Sequence, residues 1–204
     1  MGCDIHGYVE IVKYPNSSPD WWTSVIEIDS LVGRNYGMFG LFFNQRNNDN
    51  FKPTQEFPKG LPDYGKFQDE STTWKESERW GVDAHSHTWI SYKDLMEKTD
   101  WNQEVTSNYI CFYEPQADGT LLYRGGFMGS SELTEEEHMR IREGEEIKKI
   151  RQFGDDKKEY LYKLGNSKAK DSISSDWQTL LDMMATLAKQ VGNENVRLVV
   201  WFDN

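Results

Sequence analysis

The sequence predicts an α+β fold: a single domain over residues 1–204, built on a mainly antiparallel sheet that includes both terminal strands, with a long C-terminal helix packed on it. Strand-like alternation at both ends of the chain, a helical apolar stripe before the last strand and hairpin chemistry in the middle lead to that expectation.

Over residues 3–11, Cys3, Ile5, Gly7, Val9 and Ile11 alternate with Asp4, His6, Tyr8 and Glu10, the period of a half-buried strand. Tyr14, Pro15, Asn16 and the serines after them are turn chemistry, and residues 21–28 read as the returning strand. In residues 34–43, Tyr36, Phe39, Phe42 and Phe43 share one helical face, although Gly37 and Gly40 weaken the helix. No period stands out in residues 44–79, which read as a long ordered loop; such loops often carry function.

Ser91 with Asp94 forms the pattern of a capping box opening a short helix to Lys98, which places His85 and His87 just before a helix N-terminus. Residues 109–114 and 120–124 flank Ala117, Asp118 and Gly119 as a hairpin. Thr134 with Glu137 caps a charged helix running toward Arg151, and Ser175 with Gln178 caps the long one. There Trp177, Leu180, Leu181, Met184 and Leu187 repeat at helical spacing until Gly192. In residues 196–202, Val196, Leu198, Val200 and Phe202 oppose Arg197, Val199 and Trp201, which is apolar enough for a central strand.

A formal charge of -11 with a sequence pI near 4.9 argues against gripping nucleic acid by its phosphates, and leaves room for a protein partner with a basic surface. Eight Trp, ten Tyr and ten Phe supply stacking surface for pockets and interfaces. Cys3 and Cys111 form no CxxC pair and are expected reduced. No stretch approaches the roughly 20 apolar residues of a membrane span and no leader pattern opens the chain, so the expectation is a cytosolic protein. Self-association into a homo-oligomer stays open.

Three of the four histidines lie in two short clusters, Asp4 with His6 and Asp83 with His85 and His87. If the second cluster lies on a loop folded over the first strand, Asp4, His6 and His85 converge while His138 stays apart on the charged helix. Imidazoles and carboxylates at that density suit zinc or manganese, so His6, His85, His87, Asp4 and Asp83 are the candidate metal ligands, and the ion would activate water for hydrolysis. A second reading needs no reaction. Asp4, His6, Tyr8, Arg34, Asn35, Tyr36, Asp83 and His85 would line a pocket for a small polar ligand, held by ion pairs, stacking and hydrogen bonds. Cys3 belongs to the apolar set and faces away from His6, and no nucleophile elbow, P-loop or dinucleotide fingerprint is present, so no catalytic residue is assigned.

The chain resembles a family of uncharacterised proteins of tailed bacteriophages and prophages that begin Met-Gly-Cys-Asp-Ile-His. The likeness rests on the first ten residues, Arg34-Asn35-Tyr36 followed by Phe39, Gly60-Leu61-Pro62 with Asp63, Asp83 with His85-Ser86 and Trp89, and the terminal Phe202-Asp203-Asn204. The resemblance implies a phage accessory protein in the host bacterial cytoplasm and carries over no catalytic residue. By analogy with small phage proteins that disarm host defence, the leading expectation is a pocket for a nucleotide-derived ligand. A metal-dependent, phosphodiesterase-like hydrolase comes second, and an inhibitor of a host protein through an acidic surface third.

Overall fold

The computed structural model describes residues 2–18, 20–129, 132–153 and 156–204. In chain order the first elements are β1 (Asp4–Val12), β2 (Trp22–Glu27), α1 (Tyr36–Phe43), α2 (Thr72–Trp80), β3 (His85–Ser91) and α3 (Tyr92–Lys98). Then follow β4 (Glu104–Pro115), β5 (Leu121–Phe127), α4 (Glu135–Arg142), β6 (Ile147–Phe153), β7 (Asp156–Lys168), α5 (Ser175–Val191) and β8 (Val196–Asp203). The contacts gather into two compact units, one of Met1–Asn47, Phe51–Asn102 and Ala169–Asn204, the other of Asn48–Asn50 and Gln103–Lys168. The fold is α+β with two antiparallel sheets, and no helix among the described residues is long and apolar enough to cross a membrane.

The first unit holds a sheet in the order β2-β1-β8-β3. The two terminal strands pair antiparallel from Asp4 with Asp203 to Ile11 with Val196, as the matching alternation predicts. On one face Phe202 meets Phe39 and Phe43 of α1, and Phe39 and Phe42 pack edge-on against Trp177 of α5. The stripe that predicts α5 is its buried face, with Trp177, Leu180 and Met184 fully enclosed. Each such side chain contributes roughly 1.5–3 kcal/mol by leaving water. α5 is nevertheless capped at Ser174, without a side-chain hydrogen bond, rather than by a Ser175 capping box.

The other face is covered as well. The segment read as a long ordered loop instead forms α2, whose N-cap Ser71 accepts from the amide of Trp74, and a 3-10 turn before it. Tyr64 and Thr73 from this segment close over Glu10, which is fully buried although its strand face reads as solvated. Glu10 also accepts from Nε of Arg197 on β8 at 2.8 Å, and the Arg197 guanidinium lies 3.8 Å over the ring of Trp22. With layers on both faces, β8 is buried from Val196 to Phe202.

The second unit is a sheet in the order β5-β4-β7-β6 with α4 on one face. Ile141 of α4 packs with Ile110, Leu133, Tyr160 and Tyr162. The Thr134 and Glu137 capping box forms as predicted, but the helix stops at Arg142 instead of continuing toward Arg151. Gly144 turns the chain with φ +96°, and β6 then pairs with β7.

Candidate functional site

His85 and His87 lie on β3, a strand of the same sheet as β1, and not on a loop folded over it. A break in register between His85 and Thr88, with Ser86 at φ +53°, sets the two histidines against different neighbours. His85 stacks on Phe202 and His87 on Trp201. Since consecutive residues of β8 point to opposite faces, His85 stands across the sheet from His6, which is paired with Trp201 and stacked over it. The expected convergence of His6 with His85 therefore does not occur. Among the described residues no group of three or more His, Cys, Asp and Glu could hold a metal ion, so the set of Asp4, His6, Asp83, His85 and His87 lacks the required geometry.

The other candidates have partners within the first unit. His6 Nδ1 lies 2.7 Å from Asp29, its Nε2 lies 3.7 Å from Asp203, and Trp80 covers the ring at 3.9 Å between centroids. Burial disfavours charge on His6, but the hydrogen bond and charge of Asp29, with Asp203 behind them, outweigh it and raise its pKa. Desolvation and the neighbouring His85 push His87 the other way.

Arg34 donates two hydrogen bonds to Asp4, at 2.9 and 2.7 Å, and holds that carboxyl below the usual range. Asn35 caps α1 through the Met38 amide and ties the helix to Ser172 and Ser174. The Tyr36 hydroxyl accepts from the Cys3 amide. Tyr8 donates to Glu27 at 3.4 Å, and burial with nearby acids lifts its pKa to about 12. Asp83 is exposed in a 3-10 turn. His138 lies on α4 of the second unit. These partnerships account for Arg34, Asn35 and Tyr36 as parts of the scaffold.

A cavity of about 460 Å³ opens instead on the second unit. Phe112, Tyr162 and Phe127 pack toward the α4 core, so Cys111 and Tyr113 emerge from the other face of the sheet. Gly126 of β5 pairs with Cys111 of β4, and Gly165 of β7 lies on its other side. A Cβ on Gly165 would sit 2.7 Å from Cys111 Sγ and 3.0 Å from Ser107 Oγ, so the close packing there requires glycine. Cys111, Gly126 and Gly165, three small residues of adjacent strands, share the cavity lining with Tyr109, Tyr113 and Tyr123. Tyr113 and Tyr123 meet edge to face at 5.7 Å.

Ser107, Asn166, Ser167 and Asp49 complete the lining, with the Ser167 hydroxyl donating to Asp49. Asn50 and Asn108 fasten the 48–50 segment to β4 through paired amide hydrogen bonds, fixing where Asp49 stands. Desolvation raises the pKa of Cys111, Tyr113 and Tyr123, so these groups are neutral at pH 7. The cavity thus combines aromatic rings, neutral hydroxyls, an amide and one carboxylate. Sequence reasoning missed it because its residues come from distant segments and acquire meaning only once β4, β5 and β7 are adjacent.

No protein-family model, no curated protein and no solved structure matches this chain.

Proposed function

We propose that this protein binds a small polar ligand in the tyrosine-lined cavity of the second unit. The observation that carries the reading is the cavity itself. Its volume of about 460 Å³ falls within the range of about 300–1,000 Å³ common to small-molecule sites. Its lining pairs stacking surfaces with convergent hydrogen-bonding groups, which is how such sites combine affinity with orientation. The resemblance to phage proteins supports a role in the host cytoplasm, and the analogy with small phage proteins that disarm host defence favours a nucleotide-derived ligand, whose sequestration needs no catalytic group.

Binding is favoured over metal-dependent hydrolysis because His85 stands on the face of the first sheet opposite His6, and no group of three or more His, Cys, Asp and Glu among the described residues could hold a metal ion. The test is to incubate the purified chain with a panel of nucleotide signals, wash it, release bound molecules by heat and identify them by chromatography. Intact recovery of one compound is expected. Recovery of a converted product would make the protein an enzyme, and recovery of nothing would favour the inhibitor of a host protein.

A further inference from the structure

Resting on that reading, we propose that the cavity recognises the ring of its ligand and not its phosphate: the ligand is a nucleoside-type nitrogen heterocycle whose N–H edge donates to Asp49, with any phosphate left outside. The donors and acceptors of the lining carry the argument. An ionised aspartate only accepts hydrogen bonds, so it selects a ligand edge bearing N–H groups. Seated beside Tyr109, Tyr113 and Tyr123, it meets that edge while a planar ring stacks on a phenol. Cys111, Gly126 and Gly165 share the lining of this cavity of about 460 Å³, a volume that accommodates such a ring.

Charge excludes the alternative in which phosphate is the anchor. No Lys or Arg is among the lining residues, and Asp49 is the one acidic side chain there. A phosphate in that position would meet the Asp49 side chain with no Lys or Arg in the lining itself, within a chain of net charge -11. The ammonium of Lys163 lies 5.4 Å over the Tyr113 ring, and Glu146 holds it at 3.2 Å. The Asp49 hydrogen bond from Ser167 orients the carboxylate without consuming its acceptor capacity, since a carboxylate accepts through both oxygens.

The experiment is equilibrium dialysis of the full chain against guanosine, adenosine, cytidine and uridine, their 5′-monophosphates, and ribose 5-phosphate. At least one nucleoside is expected to bind, with its monophosphate no more than threefold tighter and ribose 5-phosphate not competing. Asp49→Asn keeps the shape of the side chain and is expected to weaken that nucleoside tenfold or more. Unchanged circular dichroism and melting of this variant would assign the loss to recognition. A monophosphate at least tenfold tighter than its nucleoside, competition by ribose 5-phosphate, or undiminished binding by Asp49→Asn would overturn the base-edge inference and leave the cavity a ligand site. Binding of none of the compounds, by a chain that melts cooperatively, would overturn this inference. If the heat-release panel also returned nothing, the ligand-binding reading would fall with it.

Discussion

Glu10 and Arg197, 187 residues apart in sequence, form a salt bridge at 2.8 Å inside the first unit, with side chains 0% and 4% exposed. The carboxylate also accepts from Tyr64 at 2.9 Å and Thr73 at 2.5 Å, while Trp22, Tyr64 and Trp89 surround the guanidinium. The pair joins β1 to β8 and, through Tyr64 and Thr73, fastens the 51–83 segment over the sheet. A buried ion pair contributes little net stability against well-packed apolar replacements, but half of one is costly because the remaining charge is buried alone.

Glu10→Ala or Arg197→Ala is accordingly expected to destabilise the first unit by about 3–5 kcal/mol. The double variant Glu10→Leu with Arg197→Met should recover much of that loss. Trp21, Trp22, Trp74, Trp80, Trp89, Trp101, Trp177 and Trp201 all lie in this unit, so urea titration followed by tryptophan fluorescence reads it directly. Single variants no more than 1 kcal/mol below the parent would show that the pair is not enclosed as described.

His6 makes the first unit sensitive to pH. Its folded pKa is raised by Asp29 and Asp203 above the ordinary histidine value, so protonation favours the folded chain. The stabilisation is complete below the unfolded pKa near 6.5 and is lost as pH rises through the raised folded value. Stability read by tryptophan fluorescence should therefore fall as pH rises from the ordinary histidine value of about 6.5 through the raised folded one. Asp29→Asn should flatten this dependence and, at pH 5.5, cost about 1.5–3 kcal/mol for the lost charged hydrogen bond. An equally steep profile in His6→Gln would assign the pH dependence to another group.

The terminal strands and α5 were legible because each buries one face over enough residues for a period to emerge. α2 was not: Thr72–Trp80 has only Trp74 and Trp80 as large apolar residues, and its clearest sign was the Ser71 cap. β3 was hidden by the irregularity at Ser86, which breaks alternation between His85 and Thr88. The density of aspartate and histidine drew attention to His6 as a partner of Asp4 and His85, whereas its close contacts are Asp29 and Trp80. Its actual partner Asp29 and its distance from His85 depend on strand pairing, which local patterns do not encode. The same holds for Glu10, whose polar character reads as exposure until Arg197 is placed opposite it.

The capping box of α4 offers a local test in the second unit. Thr134 accepts from the Glu137 amide at 3.2 Å, and Glu137 accepts from the Thr134 amide at 2.7 Å and from Lys149 at 2.7 Å. Thr134→Ala should cost about 0.5–2 kcal/mol. Ile141→Ala, which empties a fully buried position against Tyr162, should cost about 2–5 kcal/mol. Hydrogen exchange of the β4 and β7 amides measures both, and equal effects would contradict the central position given to Ile141.

Cys111 gives a chemical readout of the cavity whatever the identity of the ligand. Its thiol lines the pocket but is only 8% exposed, and desolvation pushes its pKa up, which lowers the fraction of reactive thiolate at neutral pH. In a Cys3→Ser background, alkylation by iodoacetamide at pH 7.5 should be at least tenfold slower in the folded chain than in urea, because both access and ionisation oppose it. Raising the pH to 9.5 should accelerate the folded reaction as the thiolate forms. A molecule seated between the tyrosines would cover the sulfur, so a ligand recovered from the heat-release panel should slow labelling in proportion to occupancy. Labelling as fast as in urea would place Cys111 in open solvent, and labelling unaffected by a saturating ligand would put that ligand's site elsewhere on the chain.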